Sequence, residues 1–377
     1  MPTSYGFLST YPPTQCGLAT FTSALLRSLT APGSGDRAGV VRVVDTPVTS
    51  EASEVVGYLQ TRAQGAYRGA AEALNAFDVA VIQHEYGIFG GQDGDQLLAV
   101  LDEVRVPVVV VAHTVLAGPT PHQRYVLEQV LSASDSVVTM SEAARDRLVA
   151  GYDVDPAKIV VIPHGAARRG AGDLAAPGGK QLILTWGLLG PGKGIEWAID
   201  GLQRLRRMHP LPAYIIAGQT HPRVRQQQGE AYRLHLRERA RAVGVSHFVR
   251  FAGSYLDEAA LTRLVRRADI VLLPYDSREQ VTSGVLVEAI AAGKPIVATA
   301  FPHAVEMLAG GAGVLVPQCD GAAIGAALYR VLTDPDKARR MATEAGRLSP
   351  PLLWPTVAER YRSLISELLA NRTPVLG

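Results

Sequence analysis

The chain has 377 residues, of which 47% are hydrophobic and 19% are charged, and its formal net charge is +2. This composition is typical of a globular protein and excludes a disordered or collagen-like chain. Basic and acidic residues nearly balance, so no chain-wide field attracts nucleic acid, and we expect any anion site to be local. The length exceeds the ~250–300 residues that a single hydrophobic core usually holds, which predicts two domains.

Cysteine usage and hydropathy indicate where the protein resides. Cys16 and Cys319 form no CxxC pair and no cluster of zinc-ligand spacing, so neither a disulfide framework nor a structural metal is expected. No signal-peptide pattern opens the chain, and its longest apolar runs, such as 106–112, fall far short of the ~20 residues that span a bilayer. We therefore predict a cytoplasmic protein without a transmembrane segment, although peripheral contact with a membrane stays open.

Short runs rich in β-branched residues alternate with longer helical patterns along the chain. This alternation is typical of parallel sheets covered by helices on both faces, so we predict an α/β protein. A first doubly wound domain is expected over residues 1–167. Its six predicted strands lie at 5–10, 40–45, 77–85, 106–113, 136–141 and 158–164.

The segment 168–180 is rich in Gly, Ala and Pro and has neither a helical nor a strand period, so it is predicted to be a linker. A second Rossmann-like domain is expected over 181–353, and a C-terminal helix over 354–377. The six strands of the second domain are predicted at 181–187, 213–218, 248–253, 269–275, 295–300 and 313–317. We expect the two domains to face each other across a cleft at the carboxyl ends of their strands, where open α/β sheets bind ligands.

In the first domain, polar side chains end two of the predicted strands: His84 and Glu85 end one, and His113 ends another. Gly17 opens a helix after a Pro-rich loop, where a backbone N–H group can approach an anion. Polar residues at the carboxyl ends of parallel strands indicate a ligand site, but a hydrogen-bonded core histidine is the commoner role of any single His.

The second domain begins with a strand, a glycine-rich loop and a helix. Gly187, Gly192 and Lys193 match the GxxxxGK pattern of a phosphate loop. A nucleotide hydrolase needs Ser or Thr at the next position to hold Mg²⁺, and Gly194 stands there instead. The pattern therefore favours a lysine that meets a diphosphate as a point charge, and the alternative is a solvent-facing lysine in a turn.

A third motif lies between residues 269 and 306. A helix is predicted to start near Thr282 or Ser283, with Gly284 in its first turn. Backbone N–H groups at the positive end of a helix bind oxyanions, so a phosphate can dock there. Glu288, just over one turn further on, suits paired hydrogen bonds from ribose hydroxyls. A well-capped helix with one solvated glutamate is an equally good interpretation of this segment alone.

Several segments together resemble the retaining glycosyltransferases of family 4: LILTWGLLGPGKGIE, YIIAGQTHP, ADIVLLPY, TSGVLVEAIAAGKPIVAT, and VVTMSEAARDRL followed by VIPHG. The resemblance covers nearly the whole chain and implies the GT-B fold. It also implies that a nucleotide-sugar donor binds mainly to the C-terminal domain and a hydroxyl acceptor to the N-terminal domain, and that the C-terminal helix crosses back to the N-terminal domain. No metal site and no cofactor besides the donor substrate are implied.

The resemblance also implies roles for individual residues. Glu288 matches the ribose-binding carboxylate of the family's Glu-x7-Glu motif, and Lys193 matches the diphosphate-binding lysine. His113 resembles the histidine near the transferred sugar. The remaining donor-binding candidates are Gly17, Gly187, Ser283, Gly284 and Val285, and the acceptor-side candidates are His84 and Glu85.

The sequence departs from the family pattern at two positions. Gln280 stands where the motif has its first glutamate, and Leu188 stands where many members have an arginine. Glutamine can hydrogen-bond a sugar but cannot act as a carboxylate nucleophile, so a front-face mechanism is favoured, in which the leaving diphosphate helps to deprotonate the acceptor. Arg223 or Arg225 is the candidate substitute for the missing arginine.

The leading hypothesis is a hexosyltransferase that moves a hexose from a GDP- or UDP-sugar to a hydroxyl acceptor, such as a sugar, a glycoside or a lipid-linked group, with retention at the anomeric carbon. Its catalytic contacts are assigned to His113, Lys193, Gln280 and Glu288. Two alternatives keep the same architecture: a degenerate protein that binds a nucleotide sugar or a glycan without turnover, and a sugar-nucleotide epimerase.

Overall fold

A computed structural model describes residues 2–46, 52–63, 65–168, 179–253 and 256–372. Two compact units share the chain: Met1–Gly165 together with Trp354–Gly377, and Ala166–Leu353. Most of the linker predicted at 168–180 lies outside the described residues, since 169–178 are not among them.

The first unit contains a seven-stranded parallel sheet. Its strands are β1 (Ser4–Ser9), β2 (Arg37–Val44), β3 (Val55–Gln60), β4 (Val79–His84), β5 (Val108–Ala112), β6 (Ser136–Thr139) and β7 (Ile159–Val161). Their order is β3-β2-β1-β4-β5-β6-β7, and every neighbouring pair is parallel. Its helices are α1 (Gly17–Leu29), α2 (Ala66–Leu74), α3 (Gln96–Leu101), α4 (Pro121–Ala133) and α5 (Glu142–Gly151), with 3₁₀ turns at Gln92–Gly94 and Pro156–Lys158.

Strand β3 is the one strand of this sheet that the hydropathy pattern did not predict. It pairs with β2 at the edge of the sheet, with a register shift between Val40 and Val41. Most of its residues are only half-buried, and Val56 is 51% exposed. An edge strand packs fewer apolar side chains than a central one, and in β3 Gly57 also interrupts the run of large side chains. The hydropathy pattern of β3 is therefore weak.

The second unit contains a six-stranded parallel sheet. Its strands are β8 (Leu182–Trp186), β9 (Ala213–Ala217), β10 (Val249–Ala252), β11 (Ile270–Leu273), β12 (Ile296–Thr299) and β13 (Gly313–Val316), in the order β10-β9-β8-β11-β12-β13. Its helices are α6 (Ile195–Gly201), α7 (Pro222–Gln228), α8 (Ala231–Ala242), α9 (Glu258–Arg267), α10 (Gly284–Ala291), α11 (Pro302–Leu308), α12 (Gly321–Thr333) and α13 (Pro335–Leu348), with 3₁₀ turns at Leu202–Arg207 and Pro350–Leu352.

The C-terminal helix α14 (Trp354–Arg372) belongs to the first unit, where it packs against α1. Val357, Tyr361 and Ile365 are fully buried in the core that α1 forms with one face of the sheet. Arg362 adds a salt bridge of 3.0 Å to Asp36. None of the described helices, α14 included, is long and apolar enough to cross a membrane.

Each sheet runs outward from its first strand in both directions, which confirms the predicted fold class of two doubly wound α/β domains. In the first unit the order reverses between β1 and β4, and in the second between β8 and β11. Ligands of open α/β sheets bind beyond the carboxyl ends of the strands at such a switch point. The loops that follow these four strands are therefore the places to look for a site.

Candidate functional site

Helix α10 follows the loop after β11 and begins at the switch point of the second unit. Ser283 caps it with a φ of −137° and a side-chain oxygen that accepts the Leu286 N–H at 3.2 Å. The N–H groups of Gly284 and Val285 lie in the first turn, where no preceding helical carbonyl can accept them. These donors, together with the positive end of the helix dipole, suit a negatively charged oxygen.

The glycine-rich loop after β8 lies beside this helix start. A Cβ atom placed on Gly187 would lie 3.8 Å from Cγ2 of Val285, and one on Gly192 would lie 3.5 Å from Cβ of Ser277. The carbonyl of Gly192 accepts the N–H groups of Asp276 and Ser277 at 3.3 and 3.4 Å. Backbone contacts therefore join the loops that follow β8 and β11.

Gly194 makes this junction possible. It caps α6 in the left-handed conformation, with φ 59° and ψ 24°. A Cβ atom at this position would overlap the carbonyl group of Pro274. Only glycine both adopts this conformation freely and leaves room for the Pro274 carbonyl. The residue that departs from the phosphate-loop pattern is thus required by the packing.

Lys193 extends from the joined loops and is half-buried. Its ammonium nitrogen lies 4.4 Å from the centroid of the Tyr275 ring, within the range of a cation–π interaction. Burial lowers the pKa of nearby His221, and the positive charges of Arg223 and Lys193 lower it further. Basic groups thus share this edge of the sheet, so an anionic ligand is favoured there. Arg223, in the first turn of α7, lies close enough to His221 to affect its pKa, and whether Arg223 or Arg225 replaces the missing arginine stays a prediction.

The loop between β11 and α10 is held by two residues from later in the chain, Thr299 at the end of β12 and Gln318 just after β13. The sequence motifs did not reveal either of them. Gln318 donates from its amide nitrogen to the carbonyls of Tyr275 and Ser277 at 3.3 and 3.1 Å. The Thr299 hydroxyl donates to the Tyr275 carbonyl at 2.5 Å. Thr299 and Gln318 lie 24 and 43 residues from Tyr275 along the chain, so no local sequence pattern could have revealed these contacts.

Two oxygens of the same loop are buried without a hydrogen-bond partner: Oδ1 of Asp276 and Oγ1 of Thr282. The other Asp276 oxygen accepts the indole N–H of Trp197 at 3.2 Å. The Gln280 amide donates to the Thr282 carbonyl and is therefore turned toward its own loop. Glu288 lies just over one turn into α10 and is half-buried. The predicted donor-side residues after β8 and β11 are thus brought together in this unit.

In the first unit, His84, His113 and His164 form a histidine cluster at the carboxyl ends of the strands. Nε2 of His113 lies 2.6 Å from the Gln83 side-chain oxygen. The centroid of the Phe21 ring, on α1, lies 4.9 Å from that of the His113 ring and 5.0 Å from that of the His164 ring. Burial lowers the pKa of His113 to about 3, with further contributions from the two other histidines. Burial likewise lowers the pKa of His84 and of His164 to about 4. The cluster is therefore neutral at physiological pH.

The other predicted residues of the first unit are Glu85 and Gly17. Glu85 accepts a hydrogen bond from the hydroxyl of Thr114, the residue that follows His113. Gly17 begins α1, capped by the Cys16 sulfur, which accepts the Ala19 N–H at 3.4 Å. A Cβ atom on Gly17 would have no neighbour within 4 Å, so its backbone faces open space. Among the residues that the structure describes, no group of three or more His, Cys, Asp or Glu is arranged to hold a metal ion.

Comparisons with known proteins agree with this architecture. Residues 29–167 match the family model described as Glycosyltransferase Family 4, and residues 171–348 match the model described as Glycosyl transferases group 1. The glycogen synthase of Mycobacterium tuberculosis is 34% identical over 248 residues, which are 64% of this chain and 57% of that protein. The chain thus spans little more than half the length of that relative.

A D-inositol 3-phosphate glycosyltransferase of Kineococcus radiotolerans is 28% identical over 343 residues, covering 80% of this chain and 76% of the relative. The solved structure of Anabaena HepE in complex with UDP and glucose covers 97% of this chain and 99% of its own, with a TM-score of 0.76 and 16% identity. That likeness shows the fold. The two family models together span most of the chain, which belongs to the family 4, or group 1, glycosyltransferases and has the GT-B fold.

Proposed function

We propose that the protein is a retaining hexosyltransferase that uses a nucleoside-diphosphate sugar as its donor and a hydroxyl group as its acceptor. The observation that carries this proposal is the junction of the loops after β8 and β11. It brings Lys193 to the same sheet edge as the free N–H groups of Gly284 and Val285. One ammonium group and two adjacent amide donors suit the oxygens of a diphosphate.

In this proposal the site stabilises the leaving group. The bond between the anomeric carbon and the diphosphate breaks, and negative charge develops on the phosphate oxygen that leaves. Lys193 and the first amides of α10 meet that charge, and each such donor typically contributes ~2.7–4 kcal/mol to transition-state stabilisation. Glu288 holds the ribose hydroxyls and so fixes the donor relative to these groups.

Gln280 bears on how the configuration at the anomeric carbon is retained. A glutamine amide cannot form a covalent glycosyl intermediate, and here its nitrogen already donates to the Thr282 carbonyl. The acceptor oxygen is therefore proposed to attack from the face that the diphosphate leaves. Its proton passes to the leaving phosphate oxygen while the new C–O bond forms, so the charges balance without an enzymic base.

The histidine cluster is proposed to serve the sugar and the acceptor. His113 is neutral, and its Nε2 lies 2.6 Å from the Gln83 side-chain oxygen. Because that amide oxygen can only accept, Nε2 carries the proton and Nδ1 can accept from a sugar hydroxyl. His84 and Glu85 remain the candidates for contact with the acceptor.

UDP-glucose is the first donor to test, because the Anabaena neighbour was solved with UDP and glucose. GDP-sugars stay in the proposal, since no described residue excludes guanine. The acceptor is a sugar, a glycoside or a lipid-linked hydroxyl, and the protein is proposed to act in the cytoplasm with no metal ion or further cofactor.

The proposal is tested by incubating the protein with UDP- and GDP-sugars and measuring nucleoside diphosphate release with and without a panel of hydroxyl acceptors. Proton NMR of the product reports whether the anomeric configuration is retained. Lys193→Ala is expected to lower turnover ~100-fold or more. Lys180→Ala, a change at an exposed lysine just before β8, serves as the matched control. Failure to bind any nucleotide sugar would refute the proposal.

Leu188 and the engaged side chain of Gln280 favour one second candidate, a protein that binds a nucleotide sugar or a glycan without turnover. Binding without transfer in the parent, together with transfer by Gln280→Glu, would support that candidate. Formation of an epimeric sugar nucleotide in the absence of an acceptor would instead identify an epimerase.

A further inference from the structure

His303 is a buried side chain to which neither the motifs nor the proposed mechanism assigns a role. It is the second residue of α11, follows β12, and is only 1% exposed. Its Nδ1 atom accepts the backbone N–H of Ser283 at 2.9 Å. Phe301, two residues before His303 and at the N-cap of α11, packs on the Tyr275 ring with centroids 5.0 Å apart. The start of α11 thus contacts both ends of the loop between β11 and α10.

The hydrogen bond to His303 determines which amides at the start of α10 are free. A helix leaves its first N–H groups without intrahelical acceptors. Here the Ser283 N–H is taken by His303, and the Leu286 N–H is taken by the Ser283 hydroxyl. The donors of Gly284 and Val285 lie between these two fixed points.

We propose that His303 is a positioning residue for the anion site at the start of α10. By holding the Ser283 N–H, it fixes the peptide plane that leads into the helix and so directs the Gly284 and Val285 N–H groups toward the diphosphate. This inference rests on the proposed function, because it assigns His303 a part in binding the same ligand. His303 itself does not touch the ligand in this proposal.

An imidazole suits this role because it is a rigid acceptor close to the backbone. The Ser283 N–H is a donor, so Nδ1 must carry the lone pair and the ring proton must be on Nε2. The side-chain oxygen of asparagine stands at the same number of bonds from Cα as Nδ1, whereas the oxygen of glutamine stands one bond further out. Leucine has a comparable volume but no acceptor.

The test compares His303→Asn, His303→Gln and His303→Leu with the wild-type chain. Isothermal titration measures the affinity of each for UDP, GDP, uridine and guanosine, and thermal melting checks that each variant is folded. His303→Leu and His303→Gln are expected to bind the preferred nucleoside diphosphate at least tenfold more weakly, with nucleoside affinity changed less than twofold. His303→Asn is expected to stay within about threefold of wild type for both ligands.

Other results would overturn the inference. If His303→Leu weakens nucleoside and diphosphate binding equally, His303 only supports the fold. If His303→Gln binds as well as His303→Asn, the position of the acceptor does not matter, and this comparison holds even where the leucine variant does not fold. Wild-type protein that binds neither UDP nor GDP would refute the proposed function itself, whereas tight wild-type binding with unaffected variants would refute only the role of His303.

Discussion

Replacement of Gly194 by alanine tests whether the junction of the two loops holds the candidate site together. Gly194 has a φ of 59°, and a Cβ atom there would lie 2.9 Å from the carbonyl carbon of Pro274 and still closer to its oxygen. Real Cβ atoms essentially never approach another heavy atom within 3.0 Å. The backbone of one or both loops must therefore shift in Gly194→Ala.

Two terms set the expected loss of stability. Alanine in the left-handed conformation costs ~1–2 kcal/mol. Overpacking against a rigid backbone group adds ~1–3 kcal/mol. Gly244→Ala is a matched control in the same unit, because Gly244 has a similar φ of 73° but its nearest neighbour is the flexible end of Arg206 at 3.5 Å. We expect the control to show the first term alone, so Gly194→Ala should be less stable than the control by ~1–3 kcal/mol.

Urea unfolding followed by circular dichroism measures this difference, and tryptophan emission gives a local signal because the Trp197 indole donates to Asp276 in the joined loop. A shift of ~1 Å at Lys193 is expected to lower donor turnover ~100-fold, well beyond the effect of the control. Equal stability of the two variants, or full turnover in Gly194→Ala, would refute the argument that this contact sets the geometry of the site.

Three further predictions concern the first unit. A Cβ atom on Gly165 would overlap the Trp354 indole. Gly165→Ala is therefore expected to shift the Trp354 fluorescence emission and to destabilise this unit by ~1–3 kcal/mol, and an unchanged emission spectrum would contradict this prediction. Arg42 is 4% exposed, and its Nε and Nη1 groups have no acceptor, so Arg42→Met is expected to raise the urea midpoint; a lower midpoint would show that the guanidinium stabilises the fold. The histidines of the unfolded chain take up protons near pH 6.5, whereas the pKa values of the folded histidine cluster lie at about 4 or 3. Acidification between these values is therefore expected to lower the free energy of unfolding by ~1.4 kcal/mol per pH unit for each histidine. This pH dependence is measured by the urea midpoints of the wild type and of His164→Phe between pH 7 and 4.5. An equal change of midpoint with pH in the two proteins would contradict the prediction.

Local patterns were sufficient to predict the fold class and the positions of twelve of the thirteen described strands. A buried parallel strand is a short β-branched run and a covering helix is an amphipathic one, so both signals lie within a few neighbouring residues. The rule that ligands bind at the carboxyl ends of such strands then directed attention to the loops that contain Lys193 and Ser283. Strand β3 was not predicted, because an edge strand buries less apolar surface and so has a weaker hydropathy pattern.

The sequence by itself therefore determined the architecture and the chemical types at the candidate site, but it could not reveal what holds that site in shape. The support comes from His303, Gln318 and the carbonyl of Pro274, which lie 20 to 80 residues along the chain from the groups that they contact. A hydrogen bond or a close contact between such distant residues leaves no periodicity in the sequence. It exists only because the parallel sheet brings the ends of successive strands to one edge, and only the tertiary structure shows it.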